Sequence, residues 1–234
     1  LSLGPNLEEF AVNFAEYIGT KFSIPVNSGT SGLHLIVKSL RIGQGDEVIT
    51  TPFSFVASSN CILYERARPV FIDIDEQSFN MNPDLIEEKI TKKTKAILVV
   101  HVFGQSCDMD KIISIAKKYN LYVIEDAAES IGATYRDQKV GTFGEAAVFA
   151  FYPNKQITTG EGGIITTNKE NIFKLCSSYA NQGRGEDREW LKHERLGYNY
   201  RMDEMSAALG IVQLSKINRF LKERDSLAKK YIRA

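Results

Sequence analysis

The sequence predicts an α/β protein, a three-layer α/β/α sandwich built on a mostly parallel sheet. Three observations point there. From Glu47 onward, short apolar runs alternate with segments of helical spacing, the signature of strand–helix crossovers. The runs ILVV (97–100) and LYVI (121–124) are apolar throughout instead of alternating, which suits strands covered on both faces. At 234 residues the chain is also long enough to bury a substantial core.

Taken in order, Asn6 to Ile18 places Leu7, Phe10, Phe14 and Ile18 three and four residues apart and reads as an amphipathic helix. Phe22 to Asn27 is a short strand. It runs into the small-residue turn Ser28 to Gly32 and then a helix marked by Leu33, Ile36, Val37 and Leu40. Alternation follows: strand Glu47–Thr51, helix Ser54–Glu65, strand Pro69–Ile74, a helix from Pro83, strand Lys95–His101, helix Met109–Tyr119 and strand Leu121–Glu125. Asn82 before Pro83 is a good helix start, an N-cap side chain followed by proline at the first helical position. Gly162–Thr167 reads as a strand and Lys169–Tyr179 as a helix. The charged stretch 181–194 reads as a loop, and Met205, Leu209, Val212, Ile217, Phe220 and Leu221 mark one long helix running to Ala234 without a stop signal. No internal repeat or low-complexity segment interrupts the chain.

Composition narrows the function. The 29 basic and 29 acidic residues cancel, which gives no support for nucleic acid as a partner. No apolar run reaches the roughly 20 residues of a membrane-spanning helix and the amino end lacks signal-peptide character, so the expectation is a cytoplasmic protein with no membrane partner. Cys61, Cys107 and Cys176 are odd in number, widely spaced and outside any CxxC pair; they suggest neither disulfides nor a metal site.

The chemistry centres on Lys155, in a short polar loop between the apolar strands of VFAFYPNKQITTGEGGIITT (148–167). An amine held this way can condense with an aldehyde as a Schiff base and so anchor pyridoxal phosphate; a solvated surface lysine is the competing reading. The turn Ser28–Gly32 opens a helix, where unpaired N–H groups and hydroxyls suit a phosphate, although an ordinary N-cap looks the same in sequence. In a parallel sheet ligands gather at the carboxyl ends of strands. That rule singles out Asp126, His101 and Phe55. A carboxylate there can pair with a protonated ring nitrogen, and an aromatic face can stack on a pyridine ring; the alternatives are a helix cap for Asp126, a local hydrogen bond for His101 and a core position for Phe55. In the loop 181–194, Arg184, Arg188 and His193 are weak candidates for contacting an anionic substrate, against a solvated charge cluster.

Six stretches together carry a family resemblance: NSGTSGLHL (27–35), GDEVITTPFSFVAS (45–58), PVFIDID to VVHVFGQSCDMD, VIEDAAESIGA (123–133), FYPNKQITTGEGG (151–163) and LGYNYRMDEMSAA (196–208). In this order they resemble the DegT-type (DegT/DnrJ/StrS) nucleotide-sugar aminotransferases, pyridoxal-phosphate enzymes of fold type I, the aspartate aminotransferase superfamily. The resemblance implies that residues 1–234 form the PLP-binding large domain, with the family's smaller carboxyl-terminal domain absent or only begun. It implies that Lys155 is the anchor and proton shuttle, that Asp126 pairs with the pyridine nitrogen, and that Phe55 stacks on the ring. Thr30 and Ser31, with Gly29, would bind the phosphate, Glu129 would lie near the phenolic oxygen, and Gly162 and Gly163 would let the backbone pass close to the cofactor. Asn199, in YNYR, would reach the phosphate of a neighbouring subunit, which implies a homodimer with shared active sites.

The implied reaction moves an amino group from an amino acid, with glutamate the expected donor, to a nucleotide-linked keto-deoxysugar, toward amino sugars of surface polysaccharides or natural products. Two features depart from the family's pattern: Ala150 stands where many relatives have serine, and Glu129 where they often carry glutamine or histidine. A branch of the family performs sugar dehydration with histidine in place of the lysine, and Lys155 argues against it. A PLP-dependent sugar dehydratase and a catalytically incomplete binding or regulatory relative stand as alternatives.

Overall fold

A computed structural model describes residues 2–185 and 191–233. The elements are α1 (Pro5–Ile18), β1 (Phe22–Val26), α2 (Gly29–Ser39), β2 (Glu47–Thr50), α3 (Ala57–Tyr64), β3 (Arg68–Phe71), α4 (Ile86–Lys89), β4 (Thr94–Val100), α5 (Met109–Tyr119), β5 (Tyr122–Asp126), the small hairpin β6 (Thr134–Tyr135) and β7 (Gln138–Lys139), β8 (Ala146–Ala150), β9 (Gly163–Thr167), α6 (Glu170–Ala180), α7 (Glu204–Ser215) and α8 (Ile217–Arg233).

Seven strands form one sheet in the order β1-β9-β8-β5-β4-β2-β3. The pairings from β8 through β5, β4 and β2 to β3 are parallel, whereas β9 runs antiparallel to both its neighbours. The sheet is therefore mostly parallel, as expected from the buried runs. The antiparallel strand arises because β8 and β9 are joined by the loop 151–162, which holds no crossover helix.

Side-chain alternation sorts the core into layers. From β4, Ala96, Leu98 and Val100 pack against α2, α3 and α6, while Ile97 and Val99 pack against α4 and α5 on the opposite face. On that second face, α1 and α7 cover β8 and β9 through Phe10, Phe14, Phe149 and Leu214. Helix α1 has no side-chain cap of its own. Glu204 at the start of α7 supplies one, its carboxylate accepting from the Asn6 and Leu7 N–H groups at 3.1 and 2.9 Å. The three cysteines are buried and unpaired, in keeping with packing roles.

Besides β3, which ends at Phe71 and not at Ile74, three boundaries differ from the sequence expectation by more than a residue. The long terminal helix is two helices, α7 and α8, separated at Lys216, because the chain turns there to keep both Leu214 and Ile217 in the core. Helix α3 starts at Ala57 instead of Ser54, since Ser54–Val56 form the turn that brings Phe55 to the surface. The helix at Pro83 opens as a 3-10 turn, Pro83–Leu85, with the Asn82 side chain accepting from the Asp84 N–H as its cap.

Candidate active site

The parallel strands bring their carboxyl ends to one edge. Asp126 ends β5, Ala150 ends β8, His101 follows β4, and the Thr51–Val56 turn follows β2. A cleft of about 300 Å³ opens there, lined by Phe53, Phe55, His101, Asp126, Glu129 and Lys155 among others. The sequence's lysine, carboxylate and aromatic candidates thus meet in one place.

Strand periodicity decides which way each group faces. Ile124 packs toward the α2/α3 layer and Asp126, two residues on, takes the same side. Its Oδ2 accepts from the Ser58 hydroxyl of α3 at 2.6 Å and its Oδ1 from the Ala128 N–H at 3.1 Å. Burial pushes the Asp126 carboxyl above its ordinary value, against the opposing pull of the Ser58 and Ala128 donors and the positive Lys155. Among the described residues no salt bridge reaches it, so a cation arriving in the cleft would find a buried acceptor in place.

Glu125 faces the other way. Its carboxylate accepts from the N–H groups of Gly141, Phe143 and Gly144 at 2.7–2.8 Å and pairs with His101 Nε2 at 3.1 Å. The second ring nitrogen of His101 accepts from the Cys107 N–H at 3.1 Å. Because a backbone N–H can only donate, His101 is the neutral Nε2–H tautomer, with both nitrogens engaged. It frames the cleft and has no nitrogen left for proton transfer, in line with the local hydrogen bond weighed from the sequence.

Lys155 sits in the β8–β9 loop, and its Nζ donates to Glu129 Oε1 at 3.0 Å. The loop is held from beneath by α7 and α8: Gln213 accepts from the Thr158 N–H, and the Arg224 guanidinium donates to the Lys155 carbonyl at 3.2 Å. Phe55 is 78% exposed, its ring free at the mouth of the cleft. Phe53 lies beside it and makes ring contacts with Phe79 and Phe103, both held at positive φ.

The small-residue turn is the first turn of α2, capped by Ser28, whose hydroxyl accepts from the Ser31 N–H at 3.1 Å. The Ser31 hydroxyl is committed to Asn27 Oδ1 at 2.6 Å. The donors left for an anion are the N–H groups of Gly29 and Thr30 and the Thr30 hydroxyl. This first turn is packed against the strand ends. A Cβ on Gly29 would lie 2.9 Å from the Ala150 methyl, and one on Gly163 would lie 2.6 Å from the Gly29 nitrogen. Gly163 therefore lets β9 approach α2, and Gly162 packs against Thr159 and Met202.

Asn199 is exposed and does not line the cleft of its own chain. Nor do Arg184 and His193. Arg184 lines a separate cavity of about 390 Å³ with Arg201, beside β1 at the end of the sheet, and exposed His193 pairs through Nδ1 with the Gln182 carbonyl. Arg188 lies outside the described residues. Sequence reasoning missed Ser58, Glu125 and Arg224.

The donor set fits pyridoxal phosphate: an amine for the aldehyde, a buried carboxylate for the ring nitrogen, a free aromatic face and a helix N-terminus for the phosphate. Comparison with known proteins agrees. GDP-perosamine synthase of Escherichia coli O157:H7 is 42% identical over 98% of this chain and 63% of its own length. The fold superposes on DesV of S. venezuelae with a TM-score of 0.95 at 36% identity, covering 99% of this chain and 62% of that one. NtdA of Bacillus subtilis, solved with bound cofactor PMP, gives a TM-score of 0.87 at 32% identity over 98% of this chain and 55% of its own. The chain thus spans about three fifths of the length of the curated relatives it matches. The sequence profile of the DegT/DnrJ/EryC1/StrS aminotransferase family matches residues 1–234, and the chain belongs to that family.

Proposed function

We propose that this chain is the PLP-binding large domain of an aminotransferase that moves an amino group from an amino acid, with glutamate the expected donor, to the ketone of a nucleotide-linked keto-deoxysugar. The observation that carries the reading is the meeting of Lys155 and Asp126 in one cleft, opposite ends of a charge pair that neither completes with the other. Pyridoxal phosphate, when bound, supplies the electron sink that lets a carbon next to nitrogen lose a proton.

The chain's own residues supply the rest. Lys155 offers the amine that anchors the cofactor and, once released, carries the proton between carbons. Asp126, fixed by Ser58 and the Ala128 N–H, keeps the ring nitrogen protonated. The Gly29 and Thr30 N–H groups and the Thr30 hydroxyl hold the phosphate, Phe55 covers the ring face, and Glu129 stands next to Lys155. Exposed Asn199 supports a homodimer in which it completes the neighbouring subunit's phosphate site. The name of GDP-perosamine synthase supports a nucleotide-linked sugar as the acceptor, and we place the enzyme in amino-sugar synthesis in the cytoplasm, with its soluble substrates. No helix of the described residues is long and apolar enough to cross a membrane.

Borohydride reduction of the PLP-treated protein followed by peptide mass mapping tests the anchor. The reading predicts a single pyridoxyl adduct on Lys155. Label spread over several surface lysines, with none on Lys155, contradicts it.

A further inference from the structure

Behind the phosphate turn lies a half-buried polar cluster that the proposed chemistry does not use. His34 is only 4% exposed, one helical turn beyond Thr30 in α2. Its Nε2 pairs with Glu65 Oε1 at 2.8 Å, and the Lys38 ammonium, one turn further along α2, donates to both Glu65 oxygens at 3.1 and 3.2 Å. From the segment 198–200, the Tyr198 hydroxyl donates to Glu65 at 3.3 Å and the Tyr200 hydroxyl meets His34 Nδ1 at 3.3 Å. A carboxylate only accepts, so Nε2 carries a proton, and burial, which holds the imidazole below its ordinary value, favours the neutral Nε2–H tautomer, whose Nδ1 accepts from Tyr200. Burial pushes the Glu65 carboxyl up, but the His34 and Lys38 donors outweigh it and hold the group below its ordinary value.

Asn199 lies beside this cluster, in the segment that carries its two tyrosines. Segment 198–200 is extended, so alternate side chains share a face. Tyr198 and Tyr200 stack on one another, ring centroids 4.8 Å apart and 11° from parallel, and both turn inward onto α2. Asn199, between them, is turned outward. Asn27 closes the connection: its N–H donates to the Tyr200 carbonyl at 2.9 Å, and its side chain takes the Ser31 hydroxyl and donates to the Asn199 carbonyl at 3.4 Å. Lys38 and Glu65 are largely withdrawn from water, 18% and 16% exposed, where an ion pair gains little stability over apolar packing.

We propose that His34 and Glu65 are positioning residues for Asn199: the cluster locks Tyr198 and Tyr200 so that Asn199 is presented, at a fixed register to the helix start, to the phosphate bound by a neighbouring copy of this chain. The inference rests on the phosphate and dimer reading above.

The test compares affinity for pyridoxal phosphate and for pyridoxal, which lacks the phosphate, in the purified protein, with thermal stability measured in parallel. His34→Leu is expected to weaken pyridoxal phosphate about 10-fold, a change worth one tenfold step in affinity, and to leave pyridoxal within about twofold. His34→Gln, which retains one donor and one acceptor, is expected to restore most of the affinity. If His34→Leu does not fold, Tyr200→Phe removes only the hydroxyl and carries the same selectivity at a smaller loss. Combined with Asn199→Ala, His34→Leu is expected to add nothing, because both act through one contact. Equal weakening of both ligands, no change in either, or additive losses in the double variant would overturn the proposal. A wild-type protein that binds pyridoxal as tightly as pyridoxal phosphate would instead overturn the phosphate reading beneath it.

Discussion

Lys155 Nζ stands 3.0 Å from Glu129 Oε1, with the lysine side chain 15% exposed and the glutamate 43%. The two charges meet at the mouth of the cleft, where water still screens them, so the pair contributes about 1 kcal/mol of stability or less. Its consequence lies in the cleft's charge. A carboxylate here opposes an anionic cofactor while it occupies the amine proposed to capture it.

Glu129→Gln keeps the shape and removes the charge. The account predicts pyridoxal phosphate binding tighter by roughly 3- to 10-fold, the effect of relieving one screened like-charge contact, read by fluorescence titration. Weaker binding in the variant would show that the carboxylate helps to hold the cofactor.

Asp126 sets a burial cost in stability against its proposed role. Its buried carboxyl holds a proton more tightly folded than unfolded, so between the unfolded value near 3.9 and its raised folded value the native state binds more protons. Stability of the cofactor-free protein therefore falls as pH rises through that window. Asp126→Asn removes this cost, since the Ser58 hydroxyl can turn toward Ser54, 2.8 Å away, and accept from the new amide. The expected result is a cofactor-free Tm about 2–4 °C higher at neutral pH, the shift for about 1 kcal/mol in a domain of this size, together with transamination lower by at least ~100-fold. An unchanged or lower Tm would argue against the burial cost.

His34 carries the opposite sign. Burial holds its imidazole below the ordinary value, outweighing the pull of Glu65. The unfolded chain binds the proton first as pH falls through about 6.5, so this contribution to stability is complete above that pH and is lost below it, down to the folded value. His34→Gln is expected to flatten the fall in Tm between neutral and mildly acid pH. Identical pH profiles in the two proteins would mean that His34 does not titrate in that range.

Ala150 faces the first turn of α2, its methyl in contact distance of where a Gly29 side chain would be. Ala150→Ser places a hydroxyl beside the Gly29 and Thr30 N–H groups. One added hydrogen bond to an anion is worth about 1.5–3 kcal/mol at most, and a gain of roughly 5-fold in pyridoxal phosphate affinity is expected with none for pyridoxal. Loss of affinity for both would indicate a steric clash.

The sequence made much of this site legible because its parts obey local rules. Lys155 lies between two apolar runs, Asp126 directly ends one, and Thr30 opens a helix after a strand. Each is a feature of neighbours in the chain. Ser58 was not legible as a partner of Asp126, because their contact joins residues 68 apart and depends on which face of β5 meets α3. Glu125 was hidden for a related reason: three of its donors come from a loop, 141–144, whose path is set by the sheet. The antiparallel direction of β9 and the corner at Lys216 also follow from tertiary packing, which helical spacing and apolar runs do not record.

In the proposed function Lys155 holds pyridoxal phosphate in a form that accepts an amino group. The direct measurement is the visible absorbance of the purified protein with pyridoxal phosphate, before and after glutamate, beside Lys155→Ala. The account predicts a visible band of protein-linked cofactor that glutamate converts to the pyridoxamine form, and no such band in the variant. A protein that shows no linked band, or the same band without Lys155, would contradict it.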